Sequence, residues 1–530
     1  MWQQTYTPVA DSLPLSTLVA AVPIFTLLVL LGVLRKPAWL ASLVGLGAAA
    51  VVAGGVYGMP ATQLFASITY GAAFGLFPIG WVVFSAILLY RVTLESGKFE
   101  VLKDSIGNLT ADRNLQALLI AFAFGAFVEG AAGFGTPVAV AAAMLTGLGF
   151  DAFYAAAICL LANTAPVAFG SIAIPIVTLA GTTGLPLDRL SAGVGRICAP
   201  VSLFVPAYLI AVMSGRAGLR TAWKPAALCG IAFAGTQFAV SNFIGPQLTD
   251  ILSSMAAMAA LLIFVRTSPH VASNGPRHRG GEVLQAWVPY ILLVIFVLVW
   301  GLEPMKSWLA SFDKSINWPG LHNAILRVPP VVAKPSPYAA AYKFTWLSAS
   351  GTACLFAAIL SAIAAGLKPG QFARVIGHTG KQLAKAELTL AAVLGLAFLM
   401  NYSGCTATLG LAFAATGAAF PFFSAMLGWL GVFLTGSDTS ANALFGTLQV
   451  ITANKLGQNA VLMAAANSAG GVMGKMISLT SIAVAAAATS MKREQEAMLF
   501  RFTLKHSVFL ASMIGLLTLF YAYVVPQWAP

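Results

Sequence analysis

Residues 114–150 read NLQALLIAFAFGAFVEGAAGFGTPVAVAAAMLTGLGF, an apolar stretch that is interrupted in its middle. The interruption, from Glu129 to Pro137, contains glycines and a proline, which break the hydrogen-bond ladder of a helix. Backbone N–H and C=O groups freed at membrane depth persist only where they are buried in protein or line a cavity. We therefore predict that this stretch is a re-entrant hairpin, which enters and leaves on one side of a membrane.

A second interrupted stretch, 421–452, reads PFFSAMLGWLGVFLTGSDTSANALFGTLQVIT and predicts a second hairpin, with its break between Thr435 and Asn442. Around the two hairpins, apolar runs long enough to cross a bilayer recur along the whole chain. They predict an all-α polytopic membrane protein with about 12 crossings, near 13–34, 38–58, 64–91, 151–182, 190–213, 225–242, 248–265, 286–302, 344–366, 386–412, 457–490 and 503–525.

The composition agrees with a membrane protein. Hydrophobic residues make up 59% of the chain and charged residues 8%, whereas a soluble domain carries about 25% charged residues. The lipid bilayer is therefore the solvent for most of the exterior. The net charge of +13 reflects excess Lys and Arg in the loops of one side, which set the orientation, and does not indicate nucleic acid. Both termini are predicted to lie outside, and the first apolar run is predicted to stay as a helix and not to be cleaved.

Two parts of the chain resemble each other at a nearly constant offset. The glycines and phenylalanine of 125–130 match those of 431–436, and ANTA at 162–165 matches ANSA at 466–469. The predicted topology starts the two copies on opposite sides, so they are inverted, which is a recurring plan of secondary transporters. The predicted division is an N-terminal helix (1–37), a first repeat (38–213), connecting helices with loops (214–343) and a second repeat (344–530). The connecting part contains a polar linker at 267–285 and an outer loop at 303–343.

Four breaks are candidates for a functional site: the two hairpin turns, Asn163–Pro166 and 467–471. Ser, Thr and Asn can cap the restarting helices, whose N-termini carry partial positive charge suited to an anion. The alternative is that these are packing glycines and capped kinks. The predicted substrate-binding residues are Gly130, Gly133, Asn163, Thr164, Asn401, Gly436, Ser437, Asn467, Ser468 and Lys475.

Charged residues inside the spans are few and therefore informative. Glu129 and Asp438 each lie in a hairpin turn and are the candidates for proton coupling. Glu129 is favoured, because its sequence neighbours offer no countercharge and such a carboxyl favours its protonated form when buried. The alternative for Glu129 is a helix cap that never titrates. Lys475 either attracts the substrate or is a structural partner of Asp438 or of free carbonyls. Asp250 and Glu387 fall near predicted span ends, which favours a solvated or snorkelling role for both.

Nothing in the sequence indicates an enzyme or a cofactor site. The five cysteines have no CxxC spacing, and the five histidines are scattered, mostly in or next to loops. The chain has no HExxH, P-loop or GxSxG motif, which argues against an intramembrane enzyme and an ATP-driven pump. No cofactor and no metal are predicted.

At its breaks the chain resembles the bacterial L-lactate permease family. The resemblance rests on GAFVEGAAGFGTPVAV at 125–140, NTAPVAFG at 163–170, SNFIGP at 241–246, NYSG at 401–404, LGWLGVFLTGSDTSANALFG at 427–446 and GGVMGKMIS at 470–478. It runs over nearly the whole chain. It implies proton-linked uptake of L-lactate, D-lactate and glycolate across the inner membrane of a bacterium.

We expect the substrate carboxylate to sit between opposed helix N-termini at the Asn163 and Asn467 breaks. Thr164, Ser437 and Ser468 would add donors. Two other functions remain open at this point, a sodium-coupled transporter of another small organic anion and an anion channel. The sequence leaves the oligomeric state open.

Overall fold

The computed structural model describes residues 1–133, 135–267 and 278–529, and helices make up most of it. In chain order the helices are α1 (Leu13–Leu28), α2 (Ala38–Gly55), α3 (Ala61–Phe74), α4 (Trp81–Glu95), α5 (Lys98–Gly107), α6 (Arg113–Gln116), α7 (Gly125–Ala131), α8 (Thr136–Gly147), α9 (Ala152–Ala162), α10 (Gly170–Thr183), α11 (Leu187–Phe243), α12 (Thr249–Thr267), α13 (Gly280–Gly301), α14 (Glu303–Ala310), α15 (Ser350–Ala364), α16 (Pro369–Ser403), α17 (Cys405–Phe413), α18 (Phe420–Thr435), α19 (Asp438–Leu456), α20 (Ala460–Lys475), α21 (Leu479–Ala488) and α22 (Arg493–Tyr523).

Several helices continue through wider or tighter turns. Segments of π-helix follow α1 (Val29–Val33), join α3 to α4 (Gly75–Gly80) and join α6 to α7 (Ala117–Phe124). Short 3₁₀ segments precede α10 (Val167–Phe169), separate α17 from α18 (Ala414–Ala419) and follow α22 (Pro526–Trp528).

The described residues contain 11 helical stretches long and apolar enough to cross a membrane, or up to 12 if α9 and α10 form one bent span. The predicted class, an all-α polytopic membrane protein, is confirmed. Of the predicted polar linker, residues 268–277, with His270 and Arg277, lie outside the described part of the chain.

Both interrupted stretches fold as helix, turn and helix. In the first, α8 follows the turn and packs back against α7 and the π segment before it. In the second, α18 ends at Gly436, whose φ is +72°, and α19 begins at Asp438 and packs against α18. The breaks lie where glycines and prolines predict them. Their re-entrant position in a membrane and the inverted repeat remain predictions.

One local match between the two halves has the same structure in both. Ser96-Gly97 ends α4 and Ser403-Gly404 ends α16, and each glycine is left-handed, with φ of +69° and +94°. In both places the next helix, α5 or α17, starts at the following residue. The match at 96–97 and 403–404 is therefore one of conformation as well as of sequence.

The predicted crossings 190–213 and 225–242 are separated by a break, as predicted, because α11 (Leu187–Phe243) consists of two helices that meet at Gly215, where φ is +64°. The residues that follow Gly215 are helical and do not form the predicted loop. The boundaries of another crossing are wrong. The predicted crossing 386–412 starts too late and spans a break, since α16 begins at Pro369 and ends before Gly404. Where a helix continues beyond the membrane, its exposed turns are rich in charged and polar residues. Their composition resembles that of a loop, so composition alone predicts a loop there.

The predicted break at 467–471 is also wrong. Helix α20 is continuous from Ala460 to Lys475, and the chain turns only afterwards, before α21 begins at Leu479. The glycines serve close packing instead. A Cβ on Gly470 would lie 2.0 Å from the carbonyl oxygen of Ala425, and one on Gly474 would lie 2.3 Å from that of Trp429. This small-xxx-small spacing lets α20 cross α18 with backbones in contact.

The segment between α14 and α15 carries four small strands, β2 (Lys314–Asn317), β3 (Ile325–Arg327), β4 (Ser336–Pro337) and β5 (Ala341–Phe344). A fifth strand, β1 (Trp2–Gln3), lies at the start of the chain. β3 pairs in parallel with β1 and antiparallel with β4, and β2 pairs antiparallel with β5. Tyr70 of α3 packs edge-on against Trp318 and Tyr342 of the segment between α14 and α15. Tyr402 of α16 donates to the carbonyl of Ala339 at 2.8 Å.

Candidate substrate site

The two hairpin turns line one cavity of about 250 Å³. The first contributes Glu129 and Gly135, and the second contributes the run from Thr435 to Ser440. Lys475 completes the set of charged side chains in the lining. A larger cavity, about 850 Å³, lies beside Asp104 and His278, and none of the predicted site residues lines it. The smaller cavity is therefore the candidate substrate site.

Helix N-termini converge on this cavity. Gly135 is the N-cap of α8, Ser437 is the N-cap of α19, and Thr480 lies in the first turn of α21. Each end carries partial positive charge and N–H groups without helical partners. The arrangement suits a small anion.

The start of α10 also lines the cavity, but its first turn is left-handed. Ser171, Ile172 and Ala173 have φ of +46°, +58° and +61°. Left-handed geometry costs about 1–2 kcal/mol for each residue with a Cβ. The Ser171 hydroxyl donates to the carbonyl of Ala132 at 2.9 Å and so ties this turn to the first hairpin. Strain of this kind is concentrated at functional sites.

Glu129 is 4% exposed, and its Oε2 has no hydrogen-bond partner in the described structure. Gly170 makes room for it, since a Cβ there would lie 2.6 Å from Glu129 Oε1. Lys475 acts on it electrostatically, and the Asn163 amide approaches it without hydrogen-bond geometry. Glu129 is thus a buried carboxyl at the cavity wall that the protein leaves largely unsatisfied.

Asp438 has the opposite environment. Its Oδ2 accepts from the Ser468 hydroxyl at 2.6 Å and from the Asn442 amide at 3.3 Å. The Asn442 amide also donates to the Pro175 carbonyl and to Ser468. The Asp438 carboxylate is therefore anchored to α20 by a network, and its second oxygen, Oδ1, remains without a partner in the described chain.

Lys475 donates from Nζ to the carbonyl oxygen of Gly436 at 2.7 Å. This carbonyl belongs to the turn between α18 and α19, so the lysine bridges the second hairpin to the end of α20. No ion pair within 4.0 Å joins it to Asp438 among the residues that the structure describes. Lysine has three N–H donors, so the ammonium keeps donors for a ligand.

Other predicted residues lie outside the cavity lining. The Thr164 hydroxyl, in the turn after α9, donates to the carbonyl of Leu161 near the end of that helix. Asn467 donates to Asn442 and accepts from Gln449, both at 2.9 Å. Asn401 donates to Thr447. Asn163 is different, because it is buried and neither its Oδ1 nor its Nδ2 has a hydrogen-bond partner within the described residues.

The three predicted glycines are places of close approach. A Cβ on Gly133 would lie 1.9 Å from Ser171 Oγ, and one on Gly436 would lie 2.2 Å from Thr480 Oγ1. Both have positive φ. A Cβ on Gly130 would lie 2.8 Å from the Cβ of Asp250. These glycines let neighbouring elements close around the site, and Gly436 also lines the cavity.

Sequence reasoning missed Asp250 and Glu387 by favouring a solvated or snorkelling role for both. Asp250 is 1% exposed. Glu387 is half-buried, and its Oε1 has no hydrogen-bond partner in the described structure. Its Oε2 packs so closely against Gly80 that a Cβ on this glycine would clash with it. In the sequence, each of these two residues is an acid beside an apolar run. That pattern alone does not distinguish a buried carboxyl from a hydrated one. Among the described residues no cluster of His, Cys, Asp and Glu could hold a metal ion.

Known proteins are similar in sequence to this chain along its whole length. The L-lactate permease family matches residues 16–525. The chain belongs to the L-lactate permease family. The L-lactate permease of Bacillus subtilis is 43% identical over 571 residues, covering 100% of both chains. The glycolate permease GlcA of Escherichia coli is 43% identical over 553 residues, covering 99% of this chain and 98% of its own. Family membership and the apolar helices make this a multi-pass transporter of the bacterial inner membrane.

Among solved structures, the YdaH transporter of Alcanivorax borkumensis is similar at 15% sequence identity, with a TM-score of 0.47 and 88% coverage of each chain.

Proposed function

We propose that this chain takes up L-lactate and related 2-hydroxymonocarboxylates, including D-lactate and glycolate, by proton symport across the inner membrane. Support comes from the names of its relatives and from one feature of the cavity. Two carboxyls, Glu129 and Asp438, and one ammonium, Lys475, are the charged groups in its lining. The cavity therefore contains groups that can bind a small anion. It also contains an acid that can carry the coupled proton.

The proposed position of the substrate follows from the helix ends that the structure contains. Because α20 is continuous, the substrate carboxylate cannot lie at a break near Asn467. It lies instead at the N-termini of α19 and α21, within reach of Lys475. Asn163 lies outside the cavity lining, beside Glu129, and neither of its polar atoms has a hydrogen-bond partner in the described structure. A ligand with so few heavy atoms, at about 1.5 kcal/mol each, binds no more tightly than about micromolar.

The charges in the cavity favour a coupled proton. With both acids ionised, the lining carries one more negative than positive charge before any anion enters. At an effective dielectric constant of about 20, two like charges about 4 Å apart repel by about 4 kcal/mol. A proton on Glu129 removes that repulsion. Burial disfavours the ionised form of both acids, but Asp438 accepts hydrogen bonds from Ser468 and Asn442 that favour its carboxylate, whereas Glu129 Oε2 accepts none in the described structure. Lactate and proton therefore bind together.

The test is Glu129→Gln in proteoliposomes, which mimics the protonated acid. Exchange of labelled lactate across the membrane should persist, and accumulation driven by a pH gradient should disappear. Glu95→Gln, at an exposed glutamate that ends α4, is the matched control and should behave like the wild type. Undiminished proton-driven accumulation by Glu129→Gln would contradict the assignment and favour Asp438.

The same vesicles separate the other functions. Wild-type uptake under a proton gradient without sodium excludes sodium coupling. Acceleration of labelled uptake by internal lactate requires a carrier and excludes a channel.

A further inference from the structure

Asp250 is a second buried carboxyl that the proposed function has not used. It lies in the first turn of α12 and is 1% exposed. Neither of its oxygens has a hydrogen-bond partner in the described part of the chain. An acid in a first turn usually stabilises a helix N-terminus by accepting its N–H groups. Asp250 makes no such bond, so the capping explanation does not account for it.

The position of Asp250 is set by the first hairpin. Helix α12 packs against α7 where Gly130 lacks a side chain, and a Cβ there would lie 2.8 Å from the Cβ of Asp250. Gly130 directly follows Glu129, and Glu129 acts on Asp250 electrostatically. Asp250 therefore packs beside the residue that follows Glu129, and the two acids interact electrostatically without a hydrogen bond, but only Glu129 lines the substrate cavity.

Few charges compensate this pair. The described ionisable groups that face Asp250 are Glu129 from α7 and the Cys198 thiol from α11. Lys475 acts on Glu129. Burying a carboxylate without a partner costs several kcal/mol, and two adjacent carboxyls cannot both stay ionised. One ammonium can offset one carboxylate, so the pair retains a proton.

We propose that Glu129 and Asp250 bind the coupling proton as a pair, with Asp250 as the member away from the substrate. When Glu129 is ionised, Asp250 is protonated. The inference rests on the proposed proton symport and adds Asp250 as a positioning and proton-holding residue that does not touch the substrate.

The test is Asp250→Asn, an isosteric change, in proteoliposomes. At one-to-one stoichiometry a pH difference of about one unit supports about tenfold accumulation of lactate. The variant should keep lactate exchange and lose this accumulation. The double variant Glu129→Gln with Asp250→Asn should be no worse than either single variant, because the two groups act as a unit. Asp188→Asn is the matched control, since Asp188 occupies the same position in α11 but is exposed.

The outcomes separate the two proposals. A wild type that accumulates no lactate under a pH gradient refutes proton symport itself. A coupled wild type together with a fully coupled Asp250→Asn variant refutes only the pairing. Loss of both exchange and accumulation in a folded Asp250→Asn variant also refutes it, by showing a structural role.

If Asp250→Asn does not fold, the wild type can be tested directly. A lipophilic carbodiimide modifies protonated carboxyls in apolar surroundings. Mass spectrometry should then find the adduct on Asp250 or Glu129, with loss of accumulation, and Asp188 should remain unmodified. Adducts on neither member of the pair would refute the proposal.

Discussion

Replacing Lys475 by methionine tests whether the one ammonium in the cavity lining binds the substrate. The change removes the hydrogen bond to the Gly436 carbonyl and the positive charge beside the N-termini of α19 and α21. Methionine keeps most of the apolar length of the side chain, so helix packing around α20 should be preserved. The variant should still fold and should lose affinity for lactate.

The expected loss follows from the charges. A carboxylate about 4 Å from the ammonium gains about 4 kcal/mol at an effective dielectric constant of about 20. Desolvation of the two ions cancels part of this gain. If about half remains, Lys475→Met raises the half-saturating lactate concentration about 30-fold, since about 1.4 kcal/mol is tenfold. The lost hydrogen bond lowers stability by at most about 1.5–3 kcal/mol.

The assay is counterflow of labelled lactate at graded concentrations, with thermal unfolding in detergent as the check on folding. Lys455→Met is the matched control, because Lys455 also lies in the last turn of a helix, α19, but is exposed. A folded Lys475→Met variant with wild-type half-saturation would refute substrate binding by this residue. Restoration of stability by an added Asp438→Asn change would show instead that Lys475 is a structural partner of Asp438.

Four further variants test the geometry. Gly471→Ala should abolish most counterflow, because its Cβ would lie 2.4 Å from Asp438 Oδ1, whereas Gly47→Ala, with nothing within 4 Å, should not. Asn467→Ala should lower the free energy of unfolding by about 1–3 kcal/mol, because it leaves its buried partners unpaired. Asn163→Ala should reduce lactate uptake with little change in thermal stability, because the Asn163 amide has no hydrogen bond to lose in the described structure. Ala173→Gly should stabilise the protein by about 1 kcal/mol, because it relieves a left-handed residue; a lower unfolding temperature would contradict that turn.

The sequence predicted the features that depend on local chemistry. Glycine and proline weaken a helix locally, and the breaks after α7, after α9 and at Gly436 lie where these residues predict them. Five of the predicted site residues line one cavity: Glu129, Gly436, Ser437, Asp438 and Lys475. Their roles remain predictions.

The features that the sequence did not predict depend on contacts between distant elements. Glycines at 470–474 have the composition of a break, yet α18 crosses there and uses them for packing. Asp250 has the sequence context of a solvated helix end, yet α7 buries it through Gly130. In both cases the deciding partner lies far away in the chain, so neither spacing nor composition carries the information.

The two matched asparagines show how the halves of the chain divide the work. Asn467 is fully buried in a continuous helix, and its amide is satisfied by Asn442 and Gln449. Asn163 ends α9 at a break, beside Glu129, with both polar atoms free. A satisfied buried network rigidifies a structure, whereas an unsatisfied buried group costs free energy unless a ligand pairs with it. In the proposed function, the second half therefore supplies a rigid wall anchored through Asp438 together with Lys475 and the helix N-termini for the substrate carboxylate, and the first half supplies Glu129, whose bonding the proton completes.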